Sequence, residues 1–421
     1  MGQLVKATEG LGRAAMPGVL DGVRVVELAT WGFIPSAGVA LADWGAEVIK
    51  VEHPAHGDPM RGLVSAALTA QGEQPVSFMF QTFSRNKASV GIDLRTDGGR
   101  DALYRLVGTA DVFLTNYLAP VRRKLRVDVD DLTAVNPRLI YARGTGLGPK
   151  GEEADTGGFD LASYWSRGGV AYVSTPEGAD YPPPMPGAAF GDLQSGLYAA
   201  GGVAAALFAR ERTGEPQVVD VSLLGSAVWG TAPHIAASSL FDIDAMPRGN
   251  HQAAHNPLSN TYRTSDGRFV ALVMLESDRF WAPLVELIGR PDLASDERYV
   301  NAAARRANSK ACIAELDAIF AARTAAEWRE VLSRQRGVWA IVQTPDETRR
   351  DGQVVANEYV TRMELDDGAA VTVARPPVQF NGAQADAHPA PELGADTDHV
   401  LLELGYTWDD VVRLKVDGAI T

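Results

Sequence analysis

Six short runs of mostly β-branched and other apolar residues recur along the first half of the chain: VRVVEL (23–28), AEVIKVE (46–52), SVGIDL (89–94), DVFLTNY (111–117), RLIYARG (138–144) and VVDVSL (218–223). Near-continuous apolar runs of this length fit strands that are buried on both faces. Between them lie segments of helical spacing: FIPSAGVALADWG (33–45), ended by Gly45, a stretch from about Gly98 to Gly108, and a short one near 128–135. Strands alternating with helices predict an α/β fold whose parallel sheet carries helices on both faces. Ligands of such sheets bind beyond the carboxyl ends of the strands. That singles out Trp31–Phe33, His53–Arg61, Tyr117–Lys124 and Gly144–Gly148.

Further along, STPEGADYPPPMPGAA (174–189) is a loop stiffened by prolines, and a long loop of this kind is more often functional than not. The segment FGDLQSGLYAAGGVAAALFARERTGE (190–215) predicts one long helix whose glycines and alanines let a neighbouring backbone approach closely. From 229 to 345 the pattern changes to Ala/Arg/Glu-rich helices around a hairpin-like YRTSDGRFVALVM (262–274), predicting a second, smaller α+β domain. Residues 1–228 then make the first part of a large domain, and 346–421 a linker and a helical tail.

At 421 residues the chain has room for two or three domains, and 46% apolar with 22% charged residues is the balance of a globular protein. A net charge of −14 repels phosphodiester backbones and anionic lipid, so neither nucleic acid nor a membrane surface is an expected partner. The longest apolar stretch, 197–209, is too short to span a bilayer, and the first 22 residues hold no apolar leader core, so a cytoplasmic location is expected. A single cysteine, Cys312, excludes a disulfide framework.

Gly146-x-Gly148-x-x-Gly151 follows a predicted strand and matches the dinucleotide fingerprint, but Pro149 and Lys150 break the helix that should open there. It also follows the fifth strand, not the first, so no nicotinamide cofactor is expected. Ser84-x-x-Lys87 matches a β-lactamase-type pattern by chance, and the seven histidines do not fall at metal-ligand spacings, so no metal is expected. Asp192, in Gly191-Asp192-Leu193-Gln194-Ser195-Gly196 at the start of the small-residue helix, carries two readings. It is either an N-cap or a functional carboxylate held at a positive helix end beside a loop that could close over substrate. Asp160 likewise stands where a helix through Ala162–Trp165 would begin.

LDGVRVVELA (20–29), DWGAEVIKVEHPAHGDPMR (43–61), RNKASVGIDL (85–94), ADVFLTNY (110–117), NPRLIYARGTGLG (136–148), GDLQSG (191–196), TGEPQVVDVSL (213–223) and ELGADTDHVLLELGY (392–406) together resemble the class III CoA-transferase family, which includes formyl-CoA transferase, carnitine CoA-transferase and the α-methylacyl-CoA racemases. The match is collinear over nearly the whole chain. The resemblance implies a homodimer of interlinked rings. Each subunit would have a Rossmann-like large domain built from both chain ends and a small domain inserted between them. It also implies that Asp192 is the nucleophile that attacks an acyl-CoA thioester. An acyl-aspartyl anhydride and then an aspartyl-CoA thioester would follow, before CoA leaves on an acceptor carboxylic acid. A carboxylate of ordinary pKa, about 3.9, needs no general base for this.

In the racemase branch a His precedes the Asp of a G-H-D motif. Here the motif is Gly158-Phe159-Asp160, and phenylalanine carries no proton, which disfavours the alternative of a 2-methylacyl-CoA racemase. The family's N-F-R-P-G-V run stands here as Asn116-Tyr117-Leu118-Ala119-Pro120-Val121, losing an Arg, and RGNHQAAHNPLSNTY (248–262) replaces the glycine-rich lid of the formyl-CoA enzyme. An oxalate/formate substrate pair is therefore not expected. Expected CoA contacts are Arg61, Asn86, Lys87, Asn116, Tyr117, Lys124, Gly144 and Gly146. Trp31, Phe33, Phe159 and Trp339 are the expected lining of an apolar acyl pocket.

Overall fold

The computed structural model describes residues 18–63, 77–365, 368–382 and 385–421; most of the N-terminal stretch read above for a leader lies outside them. The described residues divide into two compact units. One comprises the residues up to Val170 with Pro184–Ala232 and Gly352–Thr421, the other Ala171–Pro183 with Pro233–Asp351. The proline loop is thus divided, its first part grouping with the smaller unit.

In the larger unit β1 (Arg24–Leu28), β2 (Glu47–Glu52), β3 (Ala88–Gly91), β4 (Val112–Thr115), β5 (Ile140–Thr145) and β6 (Val218–Ser222) form one sheet in the order β3-β2-β1-β4-β5-β6. Every pairing is parallel. All six apolar runs are strands, and the order is that of doubly wound sheets, which reverse direction between β1 and β4. Alternate residues explain why the runs are apolar throughout. Val26, Leu28, Ile49, Val51, Val90 and Phe113 face one way, onto Leu103 and Leu106 of helix α2 and Val400, Leu401, Val411 and Leu414 of the C-terminal tail. Val25, Val48, Val112, Leu114, Ile140 and Ala142 face the other way, onto α1 and α4. These helices are α1 (Phe33–Asp43), α2 (Asp97–Gly108), α3 (Ala119–Leu125) and α4 (Phe190–Thr213), with α5 (Thr397–Glu403) and α6 (Trp408–Val416) in the tail.

The C-terminal tail joins this unit through backbone as well as side chains. Asp396 accepts from Ser89 N–H at 2.8 Å, Thr397 Oγ1 from Gly91 N–H at 3.0 Å, and Ile420 bridges Ile92.

In α4 the buried positions Ser195, Gly196, Ala199, Ala200, Val203, Ala206 and Leu207 form a stripe of helical period. A Cβ on Gly196 would lie 1.8 Å from Ser36 Oγ and 2.7 Å from Phe33 O, so only glycine allows α1 to pass this close. That crossing brings the first turn of α4 to the first turn of α1.

The smaller unit is built on an antiparallel sheet of β7 (Ser259–Arg263), β8 (Phe269–Val273) and β9 (Val338–Ile341), in the order β7-β8-β9. The hairpin is as the sequence suggests; β9 joins it from about 65 residues downstream in the order of pairing. Its core holds Tyr262, Leu272, Trp281, Leu316, Phe320 and Trp328. Cys312 is buried in that core, which pushes its thiol up to about 12 and leaves it an inert packing residue. No helix among the described residues is long and apolar enough to cross a membrane.

Candidate active site

A cavity of about 180 Å³ opens where β1, β4 and β5 end. It lies at the switch point between β1 and β4, and its walls include Thr30, Trp31, Phe33, Asn116, Gly144, Gly146, Phe159 and Asp192. The Asn116 side chain fastens the two strand ends together: its Nδ2 donates to Thr30 O at 2.6 Å, and its Oδ1 accepts from Thr30 N–H at 3.1 Å.

Asp192 is not an N-cap. Ala189, held at a φ of 63°, precedes the helix and offers no side-chain cap, and Asp192 stands in the first turn. The cap comes from elsewhere in the chain. Asp160 Oδ2 accepts from Gly191 N–H at 2.9 Å, so Asp160 serves the helix that carries Asp192 and offers no side-chain cap to the π-helical segment it precedes, Leu161–Arg167. A Cβ on Gly191 would fall 2.4 Å from Asp160 Oδ1 and 2.3 Å from the Tyr164 ring, so the pairing requires glycine there.

The Asp192 carboxylate accepts no side-chain or backbone hydrogen bond among the described residues. Its Oδ2 lies 2.6 Å from where a Cβ on Gly32 would stand, which places it against the N-terminus of α1. Burial, reinforced by the negative charge of Asp160, pushes the Asp192 carboxyl up to about 7. Asp160 is raised too, by its own burial, against the backbone N–H groups of Gly191 and Asp192 that hold it down. The ordinary carboxylate pKa expected from the sequence is therefore overturned: Asp192 is held back from ionising and is correspondingly more basic once ionised. Two helix N-termini compensate the charge when it forms.

As the nucleophile that the resemblance implies, Asp192 would act in its anionic form. In the free enzyme its fraction rises about tenfold from pH 6 to pH 8 for a group titrating near 7, and kcat/KM for an acyl-CoA is expected to rise with it. Asp160→Asn keeps an oxygen for Gly191 N–H but removes the charge, so it should move this acid limb to lower pH. A profile flat from pH 5.5 to 8.5 would rule out Asp192 as the titrating group.

Behind the cavity lies a chain of buried charges. Glu27 is fully enclosed and bonds both Lys50 Nζ, at 3.1 Å, and Lys87 Nζ, at 2.6 Å. Lys50 also reaches Asp58 at 2.9 Å, and Asp58 Oδ1 accepts from Trp31 N–H at 3.2 Å. Burial works against the Lys50 charge, but Glu27 and Asp58 together hold its ammonium above the ordinary range. The chain ends at Trp31, which sits at a φ of 66°, a costly backbone conformation for a bulky residue. That backbone sets the Trp31 ring edge-on to Phe159 at 6.0 Å over the cavity.

Several expected contacts change meaning. Lys87 faces inward, with Pro35 O and Phe83 O as further acceptors, and has no exposed ammonium for a phosphate. Asn86 spends its amide on Asp43, Asp386 O and His388 N–H, tying the returning tail to the larger unit. Arg61 is paired bidentately with Glu52 and stacks over Phe80. Tyr117 packs on the core of the larger unit, and Trp339 packs on the core of the smaller one. Lys124, in the last turn of α3, is exposed and has no ion-pair partner among the described residues. The Gly146–Gly151 segment forms turns and opens no helix. A Cβ on Gly146 would lie 2.7 Å from Gly158 Cα, so that glycine serves a backbone crossing. Glu27 and Lys50 were missed; the signal was there, in charges set inside apolar strand runs, while Asp58 falls within the His53–Arg61 stretch already singled out.

A basic-leaning carboxylate at the switch point of a doubly wound sheet, under an aromatic cover, defines an α/β enzyme that acts on a small molecule. The family model for CoA-transferase family III matches residues 20–397. The chain belongs to that family and is a CoA-transferase, an enzyme whose substrates are CoA thioesters. It is 33% identical to cinnamoyl-CoA:phenyllactate CoA-transferase of Clostridium sporogenes, over 96% of this chain and 97% of that one. To (R)-2-hydroxy-4-methylpentanoate CoA-transferase of Clostridioides difficile it is 30% identical, over 94% and 98%. A crystal structure of a CAIB/BAIF family protein from Brucella suis superposes with a TM-score of 0.80 at 29% identity, covering 92% of this chain and 100% of the other.

Proposed function

We propose that this enzyme moves CoA from an acyl-CoA to an apolar carboxylic acid through covalent intermediates on Asp192. The observation that carries the reading is the Asp192 carboxylate itself: raised by burial, unengaged by any donor among the described residues, and set against the first turn of α1 in the cavity wall.

In the first step an Asp192 oxygen attacks the thioester carbon and CoA leaves as the thiolate, giving a mixed anhydride. The thiolate then attacks the aspartyl carbonyl, releasing the donor acid and leaving an aspartyl-CoA thioester. The acceptor carboxylate attacks that carbonyl, expels the thiolate again and forms a second anhydride. Attack of the thiolate on the acceptor's carbonyl gives the new acyl-CoA and returns Asp192 as the carboxylate. Each oxyanion forms near the α1 N-terminus, where free N–H groups favour negative charge.

The acid is apolar because Trp31, Phe33, Leu118, Phe159 and Leu223 wall the cavity. Phe159 is 67% exposed, a large apolar ring left without cover in the free enzyme. The phenyllactate and (R)-2-hydroxy-4-methylpentanoate transferases named above are named for acids that join such a hydrocarbon body to a hydroxyl group. Lys124 supplies a cation for the CoA phosphates. The enzyme works as a homodimer: helix Ala232–Phe241 buries none of its residues, and Leu240 and Phe241 are 75% and 66% exposed, an apolar surface suited to a second copy.

Incubation with cinnamoyl-CoA or 4-methylpentanoyl-CoA, trapping with hydroxylamine or borohydride, and mass mapping of the peptides tests the covalent route. Modification at Asp192 is the expected result. Turnover with Asp192 unmodified throughout would remove it.

A further inference from the structure

The β1–α1 turn that borders Asp192 is held at three consecutive residues by side chains from elsewhere in the larger unit. Lys50 Nζ donates to Ala29 O at 2.8 Å, Asn116 bonds both the N–H and the O of Thr30, and Asp58 Oδ1 accepts from Trp31 N–H at 3.2 Å. We propose that Asp58 is a positioning residue for acyl selection. Through Trp31 N–H it holds the Trp31 ring square to Phe159, and this ring pair gives the site a preference for an aromatic acyl body. The inference rests on the reading that the cavity at Asp192 takes the acyl group.

The backbone of Trp31 carries the argument. A tryptophan at a φ of 66° has left the conformations that L-residues prefer, and it returns to them unless its surroundings forbid it. Asp58 is placed to forbid it. Its side chain is buried, its Oδ1 also accepts from Met60 N–H at 2.9 Å, and its own N–H donates to Glu52 Oε2 at 2.9 Å. Lys50 Nζ stands 2.9 Å from its Oδ2. A carboxylate fastened in this way is a fixed acceptor, and the peptide between Thr30 and Trp31 turns to meet it.

Both rings are tied to the Asp192 carboxylate by short steps along the chain. Trp31 precedes Gly32, where a Cβ would lie 2.6 Å from Asp192 Oδ2. Phe159 precedes Asp160, which accepts at 2.9 Å from the N–H of Gly191, the residue before Asp192. Trp31, Phe159 and Asp192 line the same cavity, and the two rings stand at 89° with their centroids 6.0 Å apart. Rings set at right angles offer a third ring both a face and an edge, the arrangements that aromatic pairs favour. Such contacts add roughly two- to tenfold in affinity beyond the area they bury. A saturated ring of the same size gains the area alone.

The test reads binding and does not depend on turnover. Full-length enzyme carrying Asp192→Asn would be titrated calorimetrically with 3-phenylpropanoyl-CoA and 3-cyclohexylpropanoyl-CoA, which share the CoA anchor and the chain length. The phenyl thioester is expected to bind about threefold or more tightly than the cyclohexyl one. That preference should vanish in Trp31→Gly, where glycine suits the left-handed backbone, and in Asp58→Ala. Asp58→Asn keeps an oxygen for Trp31 N–H and drops the charge that faces Lys50, so it should lower the melting temperature yet keep the preference. Asp58→Ala combined with Trp31→Gly should bind the phenyl thioester as Trp31→Gly alone does, because one residue acts through the other. Equal binding of the two thioesters by the parent, or a preference that survives Trp31→Gly, would overturn the role of the ring pair. A preference kept in Asp58→Ala or lost in Asp58→Asn would overturn the positioning by Asp58. If Asp58→Ala does not fold, Asp58→Leu with Lys50→Met removes the acceptor without stranding the ammonium, and its preference decides in the same way. If the preferences behave as expected while trapping at Asp192 fails, the covalent route falls and the selection stands.

Discussion

Asp192→Asn is expected to lower kcat for CoA transfer by roughly 10⁴-fold or more, because the amide cannot form the anhydride and no neighbouring carboxylate can take its place. Asp160, the carboxylate whose charge acts on Asp192, already accepts from Gly191 N–H at the head of α4. The same substitution should make the protein more stable. Asp192 holds its proton up to about 7 in the folded state but only to about 3.9 when unfolded, so the native state binds more protons in that interval and stability falls as pH rises through it. Above pH 7 the full cost of the buried charge is present, roughly 4 kcal/mol by linkage, and the asparagine is free of it. Chemical denaturation at pH 8 should show the variant ahead by about that amount, and at pH 4 the two proteins should nearly coincide. Equal stability at both values would mean that Asp192 is not destabilised by its surroundings.

The second large effect concerns Glu27. It is the shared counter-ion of Lys50 and Lys87, and Lys50 keeps Asp58 when Glu27 is lost, whereas Lys87 is left with carbonyl partners alone. Glu27→Gln should therefore cost about 3–5 kcal/mol, the penalty for stranding a buried charge, measured as a fall in denaturant midpoint. Removing both members, Glu27→Met with Lys87→Met, should recover much of that loss, since well-packed apolar groups often replace a buried pair without harm. A Glu27→Gln variant of wild-type stability would show that the network carries no structural weight. Because the chain of charges ends at Trp31 N–H, the variant should also raise KM for apolar acids more than it lowers kcat.

The candidate carboxylate Asp192 was legible as a residue but not in its state. GDLQSG at the head of a small-residue helix singled out Asp192, and the family resemblance chose between its two readings. The raised pKa was not legible, since it comes from burial and from Asp160, 32 residues earlier in the chain and brought close only by folding. The basic residues show the opposite failure. Arg61 follows the carboxyl end of β2, where a ligand would pass, and Asn86 and Lys87 lead into β3, yet the side chains of all three turn back, to Glu52, Asp43 and Glu27. A strand end gives the position of a residue and says nothing of which partner its long side chain will find.

By itself, then, the sequence determined the main secondary elements, the parallel sheet with two covered faces and the close-packed helix that carries Asp192. Those features rest on local periodicity: apolar runs that need both faces of a sheet, and a Gly/Ala stripe that needs a close helix. Only the tertiary structure decided the rest. It set Asp192 against the α1 N-terminus, capped the helix that carries it from Asp160, and closed Lys87 inside. Charge pairing and desolvation depend on distances between residues far apart in the chain, and those distances exist only once the backbone has folded.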